Sequence, residues 1–505
     1  MHIKESKLID PTASHGPGSR RRLVVLWSIF VLLLVAAAFL ARLWGLSKMH
    51  FWDETVYLQN AEVICCGKTN YSELGSRPPL LSLFFAFFFY FWNHIYAACI
   101  ATALLNALGP ALLFACGRRI AGAVPAAIAS LLLAFTPFFV GVIPSGLVSD
   151  NTGNSLLTDC PALTLILLSL WLLLRALDKQ AGLRFASAGL VMALAVLMRF
   201  ASLSSVGMLS LLVLTASRRW RAAAACGMGF ALGMAPYLCW SRFAYGGFLT
   251  TFREGWVNFE GPEESPFFYL KNFANIFTWI TLAGLVLWIG NWVWERWKLK
   301  RGDGPAESAA GENQRRFEWF LWLWAAALLV FFSIMRHKEP RYVIPLAPPL
   351  FLLAGIGLGV LVKGRRRALR LGGIALLAGG LACTFLPTIR LFEYPFLDDE
   401  VSDAMLASNY LEHNLPPATI LYATVDYPDF AYYSNFEVRP VLGTGAELYD
   451  VLDHLPGDGV YIAYKDRDTL GGPRLDWLDA NPHFQRFYEF PTLVLYNYRA
   501  GNQPR

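Results

Sequence analysis

Charged residues are scarce in this chain. Asp, Glu, Lys and Arg make up only 16% of its 505 residues, whereas soluble proteins carry about 25%. Hydrophobic residues account for 55%, and the mean hydropathy is +0.42. This composition excludes an ordinary soluble protein. Apolar segments of about 20 residues match the thickness of the hydrocarbon core, so we expect a polytopic α-helical membrane protein.

The sequence also lacks the spacings of a metal site. Its eight cysteines form no CxxC pattern and no Cys/His set. The adjacent Cys65 and Cys66 could react in an oxidising compartment, although neighbouring cysteines rarely bridge one another. No internal repeat is evident, which counts against the duplicated architecture of many transporters. The net charge of +6 predicts no nucleic-acid partner, because the basic residues cluster in short loops beside apolar segments.

Lys and Arg residues indicate how the predicted spans are oriented. The candidate spans are 23–44, 94–116, 122–142, 160–175, 184–198, 203–216, 222–240, 275–294, 317–335, 343–362 and 371–388. With the N-terminus in the cytoplasm, the loops on that side hold about twice as many Lys and Arg residues as the opposite loops, which agrees with the positive-inside rule. We therefore expect about 11 transmembrane helices. Compact loops and spans rich in Ala and Gly favour a bacterial inner membrane.

Composition divides the chain into three regions. Residues 1–22 are predicted to be a cytoplasmic tail, 23–389 a membrane domain with a long first outer loop at 45–93, and 390–505 an extracytoplasmic α/β domain. Within the outer loop, the aromatic stretch 78–92 is too short for a span, so we expect an interfacial or re-entrant helix. The last region is predicted to hold helices at 399–413, 445–454 and 473–480, and strands at 418–424, 437–442, 458–464 and 485–497.

Acidic residues stand at two boundaries of the predicted spans. Asp53 and Glu54 follow the first span, and a carboxylate there is costly unless water, a partner or a function keeps it. Adjacent carboxylates can differ in pKa, so that one accepts a proton while the other positions a group. A solvated loop start or a helix cap is the alternative. Asp159 precedes Pro161 at the start of a span, where it is either a helix cap or a second acid facing the same cavity.

Basic residues on the predicted outer side contradict the positive-inside tendency. Arg199 follows the fifth span, Arg77 stands before two prolines, and residues 336–342 read Arg-His-Lys-Glu-Pro-Arg-Tyr. A guanidinium binds phosphate in bidentate fashion, and an ammonium acts as a point charge. Solvated surface charges and ordinary loop arginines are the alternative. The residues predicted to bind a phosphate are Arg77, Arg199, His337, Lys338, Arg341 and Tyr342.

Taken together, these residues resemble the motifs of the GT-C superfamily of membrane glycosyltransferases. The similar branch contains the protein O-mannosyltransferases and the lipid A aminoarabinose transferases, which use polyprenyl-phosphate sugars. The resemblance covers about residues 23–360. Relatives often carry an arginine where this chain has Asn93-His94-Ile95-Tyr96. The motifs are Trp52-Asp53-Glu54, Arg77-Pro78-Pro79-Leu80, Gly117-Arg118-Arg119-Ile120-Ala121-Gly122, Asp159-Cys160-Pro161-Ala162-Leu163, Arg199-Phe200 and Arg341-Tyr342 with Pro345 and Pro348.

The resemblance implies a GT-C-like fold and an inverting glycosyl transfer. Asp53 would act as catalytic base or acceptor-positioning group, with Glu54 and Asp159 as further catalytic candidates, and the outer basic residues would hold the donor phosphate. The implied partners are a polyprenyl-phosphate sugar, a lipid, glycan or protein acceptor, and membrane lipids. No cofactor is expected, although Asp53, Glu54 and Asp159 could bind a divalent metal ion. A transporter or flippase of a lipid-linked sugar is the main alternative, and a non-catalytic scaffold is another.

Overall fold

The computed structural model describes residues 17–500, except for 45, 48–49, 51, 141–155, 180, 218, 258–263, 302–308, 363–366, 394, 399–400, 444 and 466–471. Most of the predicted tail and the middle of the predicted linker at 295–316 therefore lie outside the described residues. The chain divides into two compact units. We call the first, Met1–Gly45 with Gly75–Leu80 and Cys99–Phe396, the helical unit. The second, Leu46–Leu74 with Leu81–Ala98 and Leu397–Arg505, is the α/β unit.

Long apolar helices dominate the first 389 residues, as the composition predicts. They are α1 Pro17–Leu43, α2 Asp53–Cys66, α3 Pro79–Phe91, α4 Ile95–Ile120, α5 Ala123–Phe135, α6 Pro137–Val140, α7 Asp159–Lys179, α8 Gly182–Met198, α9 Leu203–Ser217, α10 Trp220–Tyr245, α11 Thr250–Val257, α12 Phe268–Lys271, α13 Phe273–Phe277, α14 Trp279–Arg301, α15 Ala309–Ile334, α16 Ala347–Val362 and α17 Arg367–Ile389. Short 3-10 helices at Phe200–Ser202 and Pro340–Leu346 precede α9 and α16.

Each predicted span coincides with a helix, and the polytopic helical fold is thereby confirmed. Eight helices within the described residues are long and apolar enough to cross a membrane. The helices α5 and α8 have the right composition but only 13 and 17 residues, and at 1.5 Å per residue α5 reaches about 20 Å. The count of about 11 spans therefore remains a prediction.

The core of the helical unit is built around α16. Residues Ala347–Gly359 of this helix are all buried, which agrees with a sequence that is apolar on every face. Elsewhere in the unit, small residues allow two helices to approach each other closely. A Cβ atom added at Gly189 of α8 would lie 1.9 Å from the Cys226 carbonyl oxygen, and one at Gly229 of α10 would lie 1.9 Å from the Ala186 oxygen. The two helices thus pack backbone to backbone, as small residues permit within membranes.

The aromatic stretch of the first outer loop forms α3, a single helix of 13 residues. Its length of about 20 Å is short of the roughly 30 Å hydrocarbon core. Phe87, Tyr90 and Phe91 are more than half exposed. Exposed aromatic rings on a short helix are typical of the membrane–water boundary, and this agrees with the predicted interfacial helix.

A mixed five-stranded sheet forms the centre of the α/β unit. The strands are β1 Leu46–Ser47, β2 Leu397–Asp398, β3 Ile420–Ala423, β4 Glu437–Pro440, β5 Gly459–Tyr464, β6 Phe484–Glu489 and β7 Leu493–Tyr498, and the helices are α18 Asp403–Asn414, α19 Tyr427–Tyr433, α20 Ala446–Asp453 and α21 Leu475–Ala480. The sheet order is β4-β3-β5-β7-β6. β3 is parallel to β4 and β5, whereas β7 is antiparallel to its neighbours.

Three details of this unit differ from the predictions. The predicted strand 485–497 is a hairpin of β6 and β7, closed where the Phe490 N–H donates to the Leu493 carbonyl. The helix α19 was not predicted. Cys65 and Cys66, expected to remain unbridged, form a disulfide at the end of α2.

The α/β unit also contains part of the first outer loop. The short strand β1 pairs in parallel with β2, and the N–H of Val438 in β4 donates to the carbonyl of Asn70 over 3.3 Å. The unit is therefore discontinuous in sequence, and residues 46–74 fold together with the C-terminal region.

Candidate active site

One helix pair of the helical unit brings a carboxylate and a guanidinium together. Asp159 is the first residue of α7, and Arg199 follows the last residue of α8. A short connection between the two helices puts these ends side by side. Asp159 Oδ1 lies 2.5 Å from Arg199 Nη1, with the side chains 1% and 12% exposed. Asp159 thus orients Arg199, and its role as an acid stays a prediction.

Glu339 connects three of the other predicted phosphate ligands. It accepts hydrogen bonds from Arg341 Nε and, over 3.0 Å, from the Tyr342 hydroxyl. His337 Nε2 lies 2.9 Å from its Oε1. The Arg199 guanidinium stands 5.5 Å from the centre of the Tyr342 ring. We call the group Asp159, Arg199, His337, Glu339, Arg341 and Tyr342 the charged cluster.

The carboxyl group of Glu339 favours its ionised form. Burial raises its pKa, but the charge of Arg341 and hydrogen bonds from Arg341, His337 and Tyr342 outweigh burial, and the pKa lies below its usual value. Sequence reasoning missed Glu339 although it stands within the basic stretch, because its negative charge argues against a phosphate ligand. Its position between Lys338 and Arg341 was the available signal. In the structure it fixes the geometry of the cations around it.

Lys338 has a different environment from its neighbours. Its side chain is 3% exposed, and its ammonium donates to the carbonyl oxygens of Glu264, Met335 and Arg336. An ammonium has three hydrogens, and three carbonyls receive them. This geometry favours a role in shaping the loop over a direct contact with phosphate. The predicted phosphate contact of Lys338 stays untested.

Two further side chains bear on the predicted phosphate site. Arg77, a predicted phosphate ligand, is partly buried and lies two residues before the start of α3. Tyr269 was missed by sequence reasoning. Its side chain is 2% exposed, and its hydroxyl makes no hydrogen bond within the part of the chain that the structure describes. Electrostatic coupling to Tyr342, Glu339 and Arg199 puts this hydroxyl beside the charged cluster.

An apolar cavity of about 460 Å³ is lined in part by the residues that follow Arg199 in the chain. Phe200 and Ala201, which directly follow Arg199, line it together with Met208 of α9, Phe252 of α11 and Phe331 of α15. Polar atoms contribute little to its surface. The size and the apolar walls of this cavity suit a flexible hydrocarbon. A second cavity of about 710 Å³ between α14, α16 and α17 is also mainly apolar.

The acidic pair of the first outer loop opens α2 in the α/β unit. Asp53 and Glu54 occupy the first turn of the helix, where the helix dipole stabilises a negative charge. His50 Nδ1 lies 3.2 Å from Glu54 Oε2. Trp52 precedes the pair with a positive φ of 34°, a conformation that is rare for a bulky residue. Tertiary contacts must therefore maintain this start.

Those contacts come from α19. The Asp429 carboxylate accepts from the Trp52 N–H over 2.9 Å and from the Thr55 hydroxyl over 2.6 Å. The Tyr433 hydroxyl accepts from the His50 N–H and donates to the His50 carbonyl. Sequence reasoning found no functional residue in the C-terminal region, because these contacts join residues more than 370 positions apart.

The sequence left a divalent metal ion possible at Asp53, Glu54 and Asp159 but did not predict one. Among the described residues, no three His, Cys, Asp or Glu side chains lie close enough together to hold a metal ion. The expectation that the reaction needs no cofactor is untested. The acidic pair and the charged cluster lie in different units. Their convergence on one pocket also stays a prediction.

Comparisons with known proteins identify the fold. Residues 76–240 match the family of dolichyl-phosphate-mannose-protein mannosyltransferases. The crystal structure of ArnT from Cupriavidus metallidurans bound to undecaprenyl phosphate is similar, with a TM-score of 0.62 at 17% identity over 95% of this chain and 99% of ArnT. The chain shares the fold of ArnT. No curated protein sequence matches significantly.

The GT-C fold extends to more distant enzymes. The oligosaccharyltransferase of Archaeoglobus fulgidus in complex with Zn and sulfate has a TM-score of 0.61 at 12% identity, over 92% of this chain and 73% of that one. The archaeal enzyme AglB in complex with an inhibitory peptide and a dolichol-phosphate has a TM-score of 0.57 at 13% identity, over 87% and 70%. The resemblance to GT-C membrane glycosyltransferases, inferred from short motifs, is confirmed.

Proposed function

We propose that the protein is an inverting glycosyltransferase. It moves a sugar from a polyprenyl-phosphate donor to an acceptor hydroxyl or phosphate at the extracytoplasmic face of a membrane, most simply a bacterial inner membrane. The observation that carries this proposal is the charged cluster, in which carboxylates hold two arginines, together with an apolar cavity lined by residues that follow Arg199 in the chain. A phosphate with a long hydrocarbon tail matches both features.

The charged cluster would stabilise the leaving group. Negative charge develops on the donor phosphate as the sugar–phosphate bond breaks, and preorganised guanidinium groups act most strongly where water is excluded. Arg199 and Arg341 are 12% and 11% exposed, and their carboxylate partners fix the orientation of each guanidinium. Loss of one such donor costs about 3 kcal/mol in the transition state.

Asp53 would supply the base. An acceptor hydroxyl is a poor nucleophile until its proton is being removed, and a positioned carboxylate contributes about 10²–10⁴ in rate. The acceptor oxygen attacks the anomeric carbon from the face opposite the phosphate. The bond to the phosphate oxygen breaks, its electron pair leaves with the polyprenyl phosphate, and the acceptor proton passes to Asp53. Inversion at the anomeric carbon follows from this single displacement.

The cavity next to Arg199 would receive the lipid. Its walls are formed by aromatic and aliphatic side chains of α9, α11 and α15. Transfer of a polyprenyl chain from the bilayer into this cavity therefore costs little free energy. The ligands bound in the similar structures, undecaprenyl phosphate and dolichol-phosphate, support this substrate class. The reaction requires only a hydroxyl or phosphate on the acceptor, and lipid, glycan and protein acceptors all offer one.

Release of polyprenyl phosphate tests the proposal. Purified protein is incubated with polyprenyl-phosphate mannose or aminoarabinose and candidate acceptors, with and without EDTA. We expect acceptor-dependent release of polyprenyl phosphate and a product of inverted anomeric configuration, unchanged by EDTA. The transporter alternative predicts movement of the intact donor between the leaflets of proteoliposomes without release. Such movement with no cleavage of any donor would contradict the proposal.

A further inference from the structure

A carboxylate of the C-terminal region brackets the acidic pair. Trp52 stands immediately before Asp53, and Thr55 immediately after Glu54. Both are bonded to the same oxygen, Oδ1 of Asp429, over 2.9 and 2.6 Å. Thr55 is 0% exposed and Asp429 is 2% exposed. The two bonds therefore enclose the acidic pair on both sides with one buried acceptor.

The start of α2 has no side-chain cap, and its local contacts are made to the Trp52 carbonyl oxygen, which lies 2.8 Å from the Thr55 hydroxyl. Trp52 is its N-cap residue, and its side chain makes no capping hydrogen bond. Indole cannot accept a hydrogen bond from the backbone as Ser, Thr, Asp or Asn does. The positive φ of Trp52 costs free energy that surrounding structure must offset. Asp429 supplies an acceptor from another element, and this acceptor binds the N–H of Trp52 itself rather than the first-turn N–H groups that an N-cap side chain would bind.

The same element contacts the loop at two further points. The Tyr433 hydroxyl accepts from the His50 N–H over 2.8 Å, and the rings of Tyr427 and Trp52 meet edge to face at 5.6 Å. All of these residues belong to α19 or to residues 50–55. The end of α19 is held in turn, because Asn70 Nδ2 donates to the Ala431 and Ser434 carbonyls.

We propose that Asp429 is a positioning residue for the acidic pair Asp53–Glu54, and that α19 of the C-terminal region sets the geometry of the base. This inference rests on the proposed function of Asp53. Asp429 does not touch the reacting atoms. It acts by fixing the backbone on which the carboxylates stand, and a displacement of about 1 Å at a reacting group can cost about 10² in rate.

The acceptor oxygen, rather than a negative charge, performs this task. Burial raises the pKa of Asp429 to about 8, helped by the charge of Asp426 and opposed by the bonds from Thr55 and Trp52. An asparagine keeps an oxygen at the position of Oδ1, whereas an alanine removes it. The two substitutions therefore separate hydrogen-bond geometry from charge.

The experiment compares Asp429→Asn, Asp429→Ala and Leu495→Ala in the full-length protein. Leu495 lies in β7 and is 0% exposed, so its truncation weakens the same unit without removing the acceptor of Asp429. We expect Asp429→Ala to lower kcat about 10²-fold with little change in the KM for the donor. Asp429→Asn and Leu495→Ala should retain kcat within a few-fold. Amide hydrogen exchange at residues 52–56 should accelerate in Asp429→Ala alone.

The outcomes separate this inference from the proposed function. Equal kcat in Asp429→Ala and Leu495→Ala, with unchanged exchange at 52–56, would overturn the positioning role. A loss in Asp429→Asn as large as in Asp429→Ala would also overturn it, because charge would then be the essential property. If the wild-type protein cleaves no donor, the proposed function fails, and accelerated exchange in Asp429→Ala would still support the structural half of the inference.

Discussion

Carboxylates hold the cations and acids of this protein in place. Asp159 pairs with Arg199, Glu339 binds Arg341 and Tyr342, and Asp429 holds the residues around Asp53. The sequence indicated the cations because they stood on the unexpected side of the predicted spans. It gave less indication of Glu339 and Asp429, since a carboxylate that orients another group carries no motif of its own.

The planar geometry of the Arg341 guanidinium should contribute to phosphate binding in addition to its positive charge. Lysine at this position keeps the charge but loses bidentate geometry and the bond from Nε to Glu339. We expect Arg341→Lys to weaken binding of polyprenyl phosphate about tenfold, measured by titration of the purified protein. The matched control is Arg336→Lys, the same substitution at an exposed position of the same loop. Equal affinities of both variants and the wild type would remove Arg341 from the phosphate site.

The raised pKa of Asp429 makes a prediction about stability and pH. The folded protein favours the protonated carboxyl, and the pKa of about 8 lies above the usual value of about 3.9 in an unfolded chain. The wild type therefore loses stability relative to Asp429→Asn as the pH rises from about 4 through about 8. Thermal melting in detergent at pH 5 and pH 8.5 measures this. A difference in melting temperature between the wild type and Asp429→Asn that does not change with pH would contradict the raised pKa of Asp429.

At the scale of helices and strands, periodicity and composition carried most of the information. Each of the predicted spans coincides with a helix because about 20 apolar residues between basic loops admit few other structures. The hairpin of β6 and β7 was read as one strand because Pro491 and Thr492 form a turn too short to interrupt an apolar pattern. The helix α19 was missed because its seven residues include Pro428 and Asp429, and tertiary contacts rather than propensity define it.

The contact of α8 with α10 should control the position of Arg199. A Cβ atom at Gly229 would lie 1.9 Å from the Ala186 carbonyl, whereas one at Gly227 of the same helix meets open space. We expect Gly229→Ala to destabilise the protein by about 1–3 kcal/mol and to lower donor affinity, since α8 ends at Arg199. Gly227→Ala should be neutral or slightly stabilising. Equal melting temperatures of the two variants would contradict the close packing.

At the scale of the whole molecule, the domain boundaries were the least predictable feature. Residues 45–93 were predicted to be part of the membrane domain, whereas most of this loop folds with residues 397–505. Composition changes near residue 390 and thus predicts a boundary there. It contains no sign that β1 pairs with β2 or that Asn70 binds α19, because such contacts depend on the three-dimensional fold.

The orientation inferred from Lys and Arg can be tested by labelling. Gln485 in β6 and Arg221 in α10 are both exposed and are predicted to lie on opposite sides of the membrane. Single cysteines are introduced there after Cys239 and Cys383, the exposed native thiols among those described, are replaced by serine. An impermeant maleimide should label Gln485→Cys in intact spheroplasts and Arg221→Cys only after lysis. The reverse pattern would invert the proposed topology.

The central claim is that Asp53 removes a proton in a reaction whose leaving group is held elsewhere in the chain. The most direct test is the kcat of Asp53→Asn at saturating donor, together with its affinity for polyprenyl phosphate. We predict that kcat falls by about 10²–10⁴ while the affinity and the melting temperature match the wild type. An unchanged kcat would contradict the account.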